Sequence, residues 1–154
     1  CKTVHEPSRL LSMLNNELAE TASRGMFVTM AAGVFDPASG EIVFANAGHQ
    51  PPLYRSRIGA YCELEESSPP LGIVSGMDYA DQRLQLGGGR LYLFTDGVTQ
   101  GWEEDGSMLE LAGLKTLLDK HASLPPADQL ACVAEALVRP GVRLRDDLTL
   151  LVIG

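Results

Sequence analysis

Leu10, Leu11, Leu14 and Leu18 recur at three- and four-residue spacing. This predicts an amphipathic helix with Asn15, Asn16 and Glu17 turned away from its apolar face. Ser8, after Pro7, stands where an N-cap belongs. The period then changes. Met26, Val28, Met30, Ala32 and Val34 alternate with Phe27, Thr29, Ala31, Gly33 and Phe35, and both sets are largely apolar, so the segment reads as a strand covered on both faces. Residues 36–40 (DPASG) have turn chemistry, because proline presets φ and glycine accepts a positive one. Residues 41–45 return as the partner strand, a loop follows over 46–52, and 53–55 begin another strand.

Residues 56–80 show no period and read as irregular, with Pro69-Pro70-Leu71-Gly72 at their centre. A short edge strand is expected over 83–86, a glycine turn over 87–89, and a buried strand over 90–95 that ends at Asp96-Gly97. Ser107 with Glu110 makes a capping-box pattern ahead of a helix whose stripe is Leu111, Leu114, Leu117 and Leu118. Pro125-Pro126 opens a second helix with Leu130, Val133, Ala134 and Leu137 inward, and Pro140-Gly141 ends it. Residues 148–153 close the chain as a buried strand. Strands that cluster rather than alternate with helices indicate an α+β fold, and short hairpin turns make its sheets mainly antiparallel.

Composition narrows the functional classes. The 154 residues suit one domain. A net charge of -8 disfavours nucleic acid and contact with an anionic membrane. The same charge suits divalent cations, since carboxylates are hard oxygen ligands, and it equally suits plain solubility. The three cysteines, Cys1, Cys62 and Cys132, form no CxxC pair, so a disulfide scaffold is disfavoured and a reducing, cytoplasmic location is expected. Cys132 reads as a small core residue. No run approaches the roughly 18 apolar residues of a membrane span. The first residue is not Met, and the chain reads as a piece of a longer protein.

Two acidic positions carry the candidate chemistry. Asp96 stands where a buried strand ends, and Gly97 lets the backbone turn away from it. Asp146 and Asp147 stand just before the final strand, with Arg143 and Arg145 near enough in sequence to compensate their charge. Taken singly, the first is an ordinary Asp-Gly turn and the second an acidic loop with an ion pair. Together they offer carboxylates at the margins of two apolar strands, a donor set that suits Mg²⁺ or Mn²⁺ with waters. His49, without a second His nearby, reads as a loop organiser, and Asn46 as a residue that caps its own loop. No G-x-S-x-G elbow, activated cysteine or phosphate-binding P-loop occurs.

The segments FVTMAAGVFDPASGEIVFANAGHQPPLYR, PPLGI, LYLFTDGVTQ and DDLTLLVI follow one another in an order that resembles the SpoIIE/RsbU-like branch of the PPM (PP2C) serine/threonine phosphatases. LSMLNNEL is similar to that family's Leu-Asn-x-x-Leu helix. The resemblance covers nearly the whole chain. It implies an α/β/β/α sandwich of two mainly antiparallel sheets flanked by helices, incomplete at the N-terminus, with residues 1–154 forming the C-terminal part of one phosphatase domain. It also implies two Mn²⁺ or Mg²⁺ ions and direct attack of a metal-activated water on phosphoserine or phosphothreonine. By that resemblance Asp96 and Asp146 are metal ligands and catalytic residues. Asp147 buttresses the site, Gly97 supports the turn, and His49 aligns where eukaryotic-type relatives carry Asp. The implied substrate is a phosphorylated anti-anti-sigma (STAS-type) protein in a bacterial partner-switching signal pathway, with a sensor or receiver domain upstream. Gln100-Gly101 departs from the family's usual residues at what should be a helix entry away from the metals. The family's D-x-x-G-H-G segment, whose Asp bridges both metals, is absent and is expected before residue 1. The alternative is a non-catalytic regulatory module that keeps the fold and binds a partner.

Overall fold

A computed structural model describes residues 6–21, 25–64, 68–100, 108–138 and 146–154. The chain folds as two compact units. One comprises Cys1–Pro51 and Leu64–Gly87, the other Pro52–Glu63 and Gly88–Gly154.

The first unit is built on helix α1 (Pro7–Thr21) and a three-stranded antiparallel sheet. Strand β1 (Met30–Asp36) pairs with β2 (Glu41–Ala47), and β2 pairs with β5 (Gln82–Gln85). Leu11 of α1 is buried with Ala45, Ala47, Leu71 and Tyr79, and Leu14 and Leu18 pack against that cluster, so the leucine stripe does face the core. Between β1 and β2 the turn is held by Asp36, whose carboxylate accepts from the Ala38 N–H at 2.9 Å and the Ser39 hydroxyl at 2.7 Å. Gly40 closes it at φ +72°.

Several expectations fail here for physical reasons. Ser8 is not the cap: it lies inside α1, and its N–H donates instead to the Asp81 carboxylate at 2.8 Å. The strand over 26–35 is not covered on both faces. β1 is an outer strand that starts at Met30, and Met26, Phe27, Val28, Val34 and Phe35 are all exposed. Asn15 does not face away. It is fully buried, donates from Nδ2 to the Val74 carbonyl at 2.8 Å, and accepts at Oδ1 from the Gly72 N–H at 2.9 Å and the Tyr79 hydroxyl at 3.4 Å. A side-chain amide that meets two backbone groups in this way can be buried without cost, which an apolar-periodicity argument does not foresee.

The second unit holds a four-stranded antiparallel sheet in the order β4-β3-β6-β7. Its strands are β3 (Leu53–Arg55), β4 (Tyr61–Glu63), β6 (Arg90–Phe94) and β7 (Leu150–Ile153). Helix α2 (Asp96–Thr99) follows β6 directly, and α3 (Glu110–Lys120) and α4 (Pro126–Leu137) come after it. Leu114 and Leu118 of α3 and Val133 and Leu137 of α4 are buried with Leu53, Tyr92, Phe94 and Val98 in one core. Gln129 lies at its polar edge and is fully buried. It accepts from Arg90 Nη1 at 2.7 Å and the Tyr92 hydroxyl at 2.9 Å, and donates to the Leu118 carbonyl at 2.8 Å.

Differences from expectation are local. β4 falls inside the stretch read as irregular, because three residues paired to β3 carry too short a pattern to see. Asp96-Gly97 opens a helical turn rather than a simple bend. On α4, Gln129 takes the inward place and Ala134 is exposed. β7 is an outer strand with Leu151 exposed. Cys132 is half-buried and Cys62 exposed. Ser107 of the capping box and the Pro140-Gly141 stop lie outside the described residues; Glu110 is the first residue of α3, and Leu109 stands at the cap position. The α+β class and the two antiparallel sheets with helices are as the sequence implied.

Candidate active site

The ladder between β6 and β7 runs from Leu91 opposite Ile153 to Phe94 opposite Leu150. Beyond it the Thr95 N–H still donates to the Thr149 carbonyl at 3.1 Å, so the two segments stay in register as β6 ends. Here the backbone must leave the sheet. The Thr95 carbonyl is already taken by the Val98 N–H at 3.0 Å, inside the turn that becomes α2. The reciprocal bond that a ladder would make is therefore made by the side chain: the Thr149 N–H donates to Thr95 Oγ1 at 3.0 Å. That hydroxyl in turn donates to the Asp147 carbonyl at 2.8 Å.

Gly97, fully enclosed one residue after Asp96, allows the close approach that follows. A Cβ there would stand 2.6 Å from the Asp147 carbonyl oxygen and 3.2 Å from that of Asp146. The structure thus brings the Asp96-Gly97 turn directly against the Asp146-Asp147 backbone. Asp146 folds its carboxylate onto the next residue, Oδ1 accepting from the Asp147 N–H at 2.8 Å. The ties at Asp147 run through its backbone; its side chain is exposed.

Asp96 is half-buried in the first turn of α2. Its Oδ2 lies 3.4 Å from Gln100 Nε2, so the departure at Gln100 does touch the candidate ligand carboxylate, one helical turn away. Among the described residues no Lys, Arg or His pairs with Asp96, Asp146 or Asp147. Arg143, Arg145 and Gly101 lie outside the described residues. The contact shown is between the two backbones, and carboxylates beside it, with no described counter-cation, are hard oxygen donors of the kind a divalent ion takes. Among the described residues no group of three or more His, Cys, Asp and Glu side chains gathers for one.

Asn46 and His49 belong to the first unit. Asn46 is buried and makes a reciprocal pair with His49, Nδ2 donating to its carbonyl at 3.0 Å and Oδ1 accepting from its N–H at 2.8 Å. His49 Nδ1 is 3.4 Å from Thr29 Oγ1. Gly48 sits at φ +65°, and a Cβ there would stand 2.6 Å from Pro70 Cγ.

Sequence reasoning passed over Thr95 and Gln129, turned Asn15 outward and set Gln100 away from the metals. For Thr95 a signal existed: a hydroxyl at the last strand position before a helical turn is where a backbone carbonyl is about to be withdrawn from the sheet.

The family profile described as stage II sporulation protein E (SpoIIE) matches residues 1–154. The chain belongs to the SpoIIE family. It is 31% identical over 151 residues to the phosphoserine phosphatase RsbU of Bacillus subtilis (strain 168), a match covering 96% of this chain and 44% of RsbU. Over 64 residues it is 38% identical to the phosphoserine phosphatase RsbP of the same organism, covering 41% of this chain and 16% of RsbP. The SpoIIE-family chain thus spans less than half the length of these relatives. Among solved structures it resembles the RsbU and RsbW domains of a Mycobacterium tuberculosis protein, with TM-score 0.73 and 28% identity over 94% of this chain and 40% of that one. The SiaA-PP2C domain of Pseudomonas aeruginosa matches with TM-score 0.72 and 22% identity over 96% and 59%, a likeness of fold. The fold is that of PP2C domains. Among the described residues no helix is long and apolar enough to cross a membrane.

Proposed function

We propose that the intact protein is a metal-dependent phosphatase that removes phosphate from serine or threonine of a partner protein, and that residues 1–154 are the C-terminal part of its catalytic domain. The observation that carries this reading is the seam where the Asp96 turn and the Asp146-Asp147 segment are pressed together, in a chain whose relatives include phosphoserine phosphatases. Membership of that family weighs against a purely regulatory module.

In this reading Asp96 and Asp146 hold Mn²⁺ or Mg²⁺ by their carboxylate oxygens. What such ions supply when bound is Lewis acidity toward the phosphoryl oxygens and a water made acidic enough to attack near neutral pH. The chain's own part is rigidity and charge. β6 and α2 fix Asp96, and the Asp147 N–H holds one oxygen of Asp146 in place. Gln100 presents a neutral amide to Asp96. Gly97 keeps the two segments in contact. The proposed substrate is a phosphorylated anti-anti-sigma (STAS-type) protein within a cytoplasmic partner-switching pathway, governed by a sensor or receiver domain elsewhere in the protein.

The test is turnover of a phosphoserine protein by the intact protein with Mn²⁺. Asp96→Asn is expected to lose that turnover while its circular dichroism stays that of the wild type. Undiminished turnover removes Asp96 from the ligand set.

A further inference from the structure

Thr95 is the residue at which three demands meet. Its backbone carbonyl has left the sheet to start α2, accepting from Val98 at 3.0 Å. Its hydroxyl replaces that carbonyl by accepting from the Thr149 N–H at 3.0 Å, and spends its proton on the Asp147 carbonyl at 2.8 Å. Those bonds form a short path between the two candidate ligands. The Asp146 carboxylate is tied to the Asp147 N–H, the Asp147 carbonyl to the Thr95 hydroxyl, and Thr95 is covalently joined to Asp96. Gly97 approaches the same Asp147 carbonyl closely, a Cβ there standing 2.6 Å from its oxygen, so the segments have no room for a side chain between them at that point.

We infer that Thr95 is a positioning residue for cation binding: its hydroxyl sets the spacing and orientation of the Asp146 carboxylate relative to that of Asp96. The inference rests on the ligand reading of those two residues and deepens it. A hydroxyl is needed because the position requires one acceptor and one donor on a single atom. Serine supplies both. Valine has threonine's shape and neither function, so it leaves the Thr149 N–H and the Asp147 carbonyl without a partner and frees the 146–149 segment to shift. Side chains that hold metal ligands in place are commonly worth about tenfold to a hundredfold in metal affinity.

The experiment is a titration of the intact protein with Mn²⁺ alone, reading free Mn²⁺ by electron paramagnetic resonance, at a temperature where circular dichroism shows each variant folded. Thr95→Val is expected to bind Mn²⁺ at least about tenfold more weakly than wild type. Thr95→Ser is expected to restore wild-type affinity, a rescue that loss of threonine packing alone would not produce. Wild-type affinity in Thr95→Val, with binding lost in Asp96→Asn, overturns the role of Thr95 and leaves the ligand reading standing. Wild-type affinity in Asp96→Asn overturns the ligand reading, and this inference with it. Should Thr95→Val fail to fold, Gly97→Ala puts the same question by pushing the Asp147 carbonyl away. Weakened Mn²⁺ binding there supports the inference, and unchanged affinity overturns it.

Discussion

Asn15 in the first unit and Asp96 in the second are both polar side chains next to an apolar core, and they are handled in opposite ways. Asn15 is fully buried, and the protein itself meets its amide, through the Val74 carbonyl, the Gly72 N–H and the Tyr79 hydroxyl. Asp96 is half-buried on a backbone locked from both sides, yet its carboxylate has only a long contact to Gln100 among the described residues. A polar group whose needs are met internally serves the fold. A charged group on a rigid backbone with no described counter-ion is what the proposed ligand role of Asp96 calls for.

The contrast breaks most sharply at Asn15. Replacing it with Leu keeps much of the volume and strands the Gly72 N–H and the Val74 carbonyl, so a loss of about 3 kcal/mol is expected in urea unfolding. A loss comparable to that of a surface substitution would mean that the 71–79 loop stands without this amide. Next in size is the response to metal. Mn²⁺ at about a hundredfold its dissociation constant should stabilise the wild type by about 2.7 kcal/mol. Asp96→Asn should lack this gain while its metal-free stability stays within about 0.5 kcal/mol of wild type. If Asp96→Asn instead loses as much as Asn15→Leu in the absence of metal, then Asp96 is structural and the contrast collapses.

The smallest expected effect is alkaline. Burial first, and then a hydrogen bond to Asp119, push the Tyr61 hydroxyl well above the ordinary tyrosine range; its oxygen lies 3.0 Å from the Asp119 carboxylate. Burial raises Tyr79 as well. For a raised acid the folded state favours the protonated form, so the contribution is intact below about pH 10 and fades as pH climbs through the folded values. Urea midpoints at pH 8 and pH 11 should therefore differ, and Tyr61→Phe should narrow the difference.

How much of this was visible in the residues alone depended on length and on reciprocity. The helix over Leu10–Leu18 and the strand over 90–95 were legible because apolar period and length agree there. β4 was not, since three residues paired to β3 carry no period. Asn15 was misread and Gln129 went unremarked because burial of an amide depends on partners that arrive from distant loops, such as Gly72 and Val74, or from a strand, such as Arg90 and Tyr92. Asp96 and Asp146 were singled out as candidates from their places beside two apolar runs. The contact between their backbones became visible only with the β6–β7 register and the close approach that Gly97 allows. Thr95 went unnoticed because threonine fits any strand, and its double role exists only where the ladder gives way to a helix.

The close fit of Gly48 against Pro70, together with the parallel bridge between Ala47 and Ser68, ties two loops that are well separated along the chain. At Gly48 the two segments come so close that no side chain would fit between them. They should open and close as one body, so that a disturbance at the Pro70 ring is felt by the Asn46–His49 clasp without any side chain in between having to relay it.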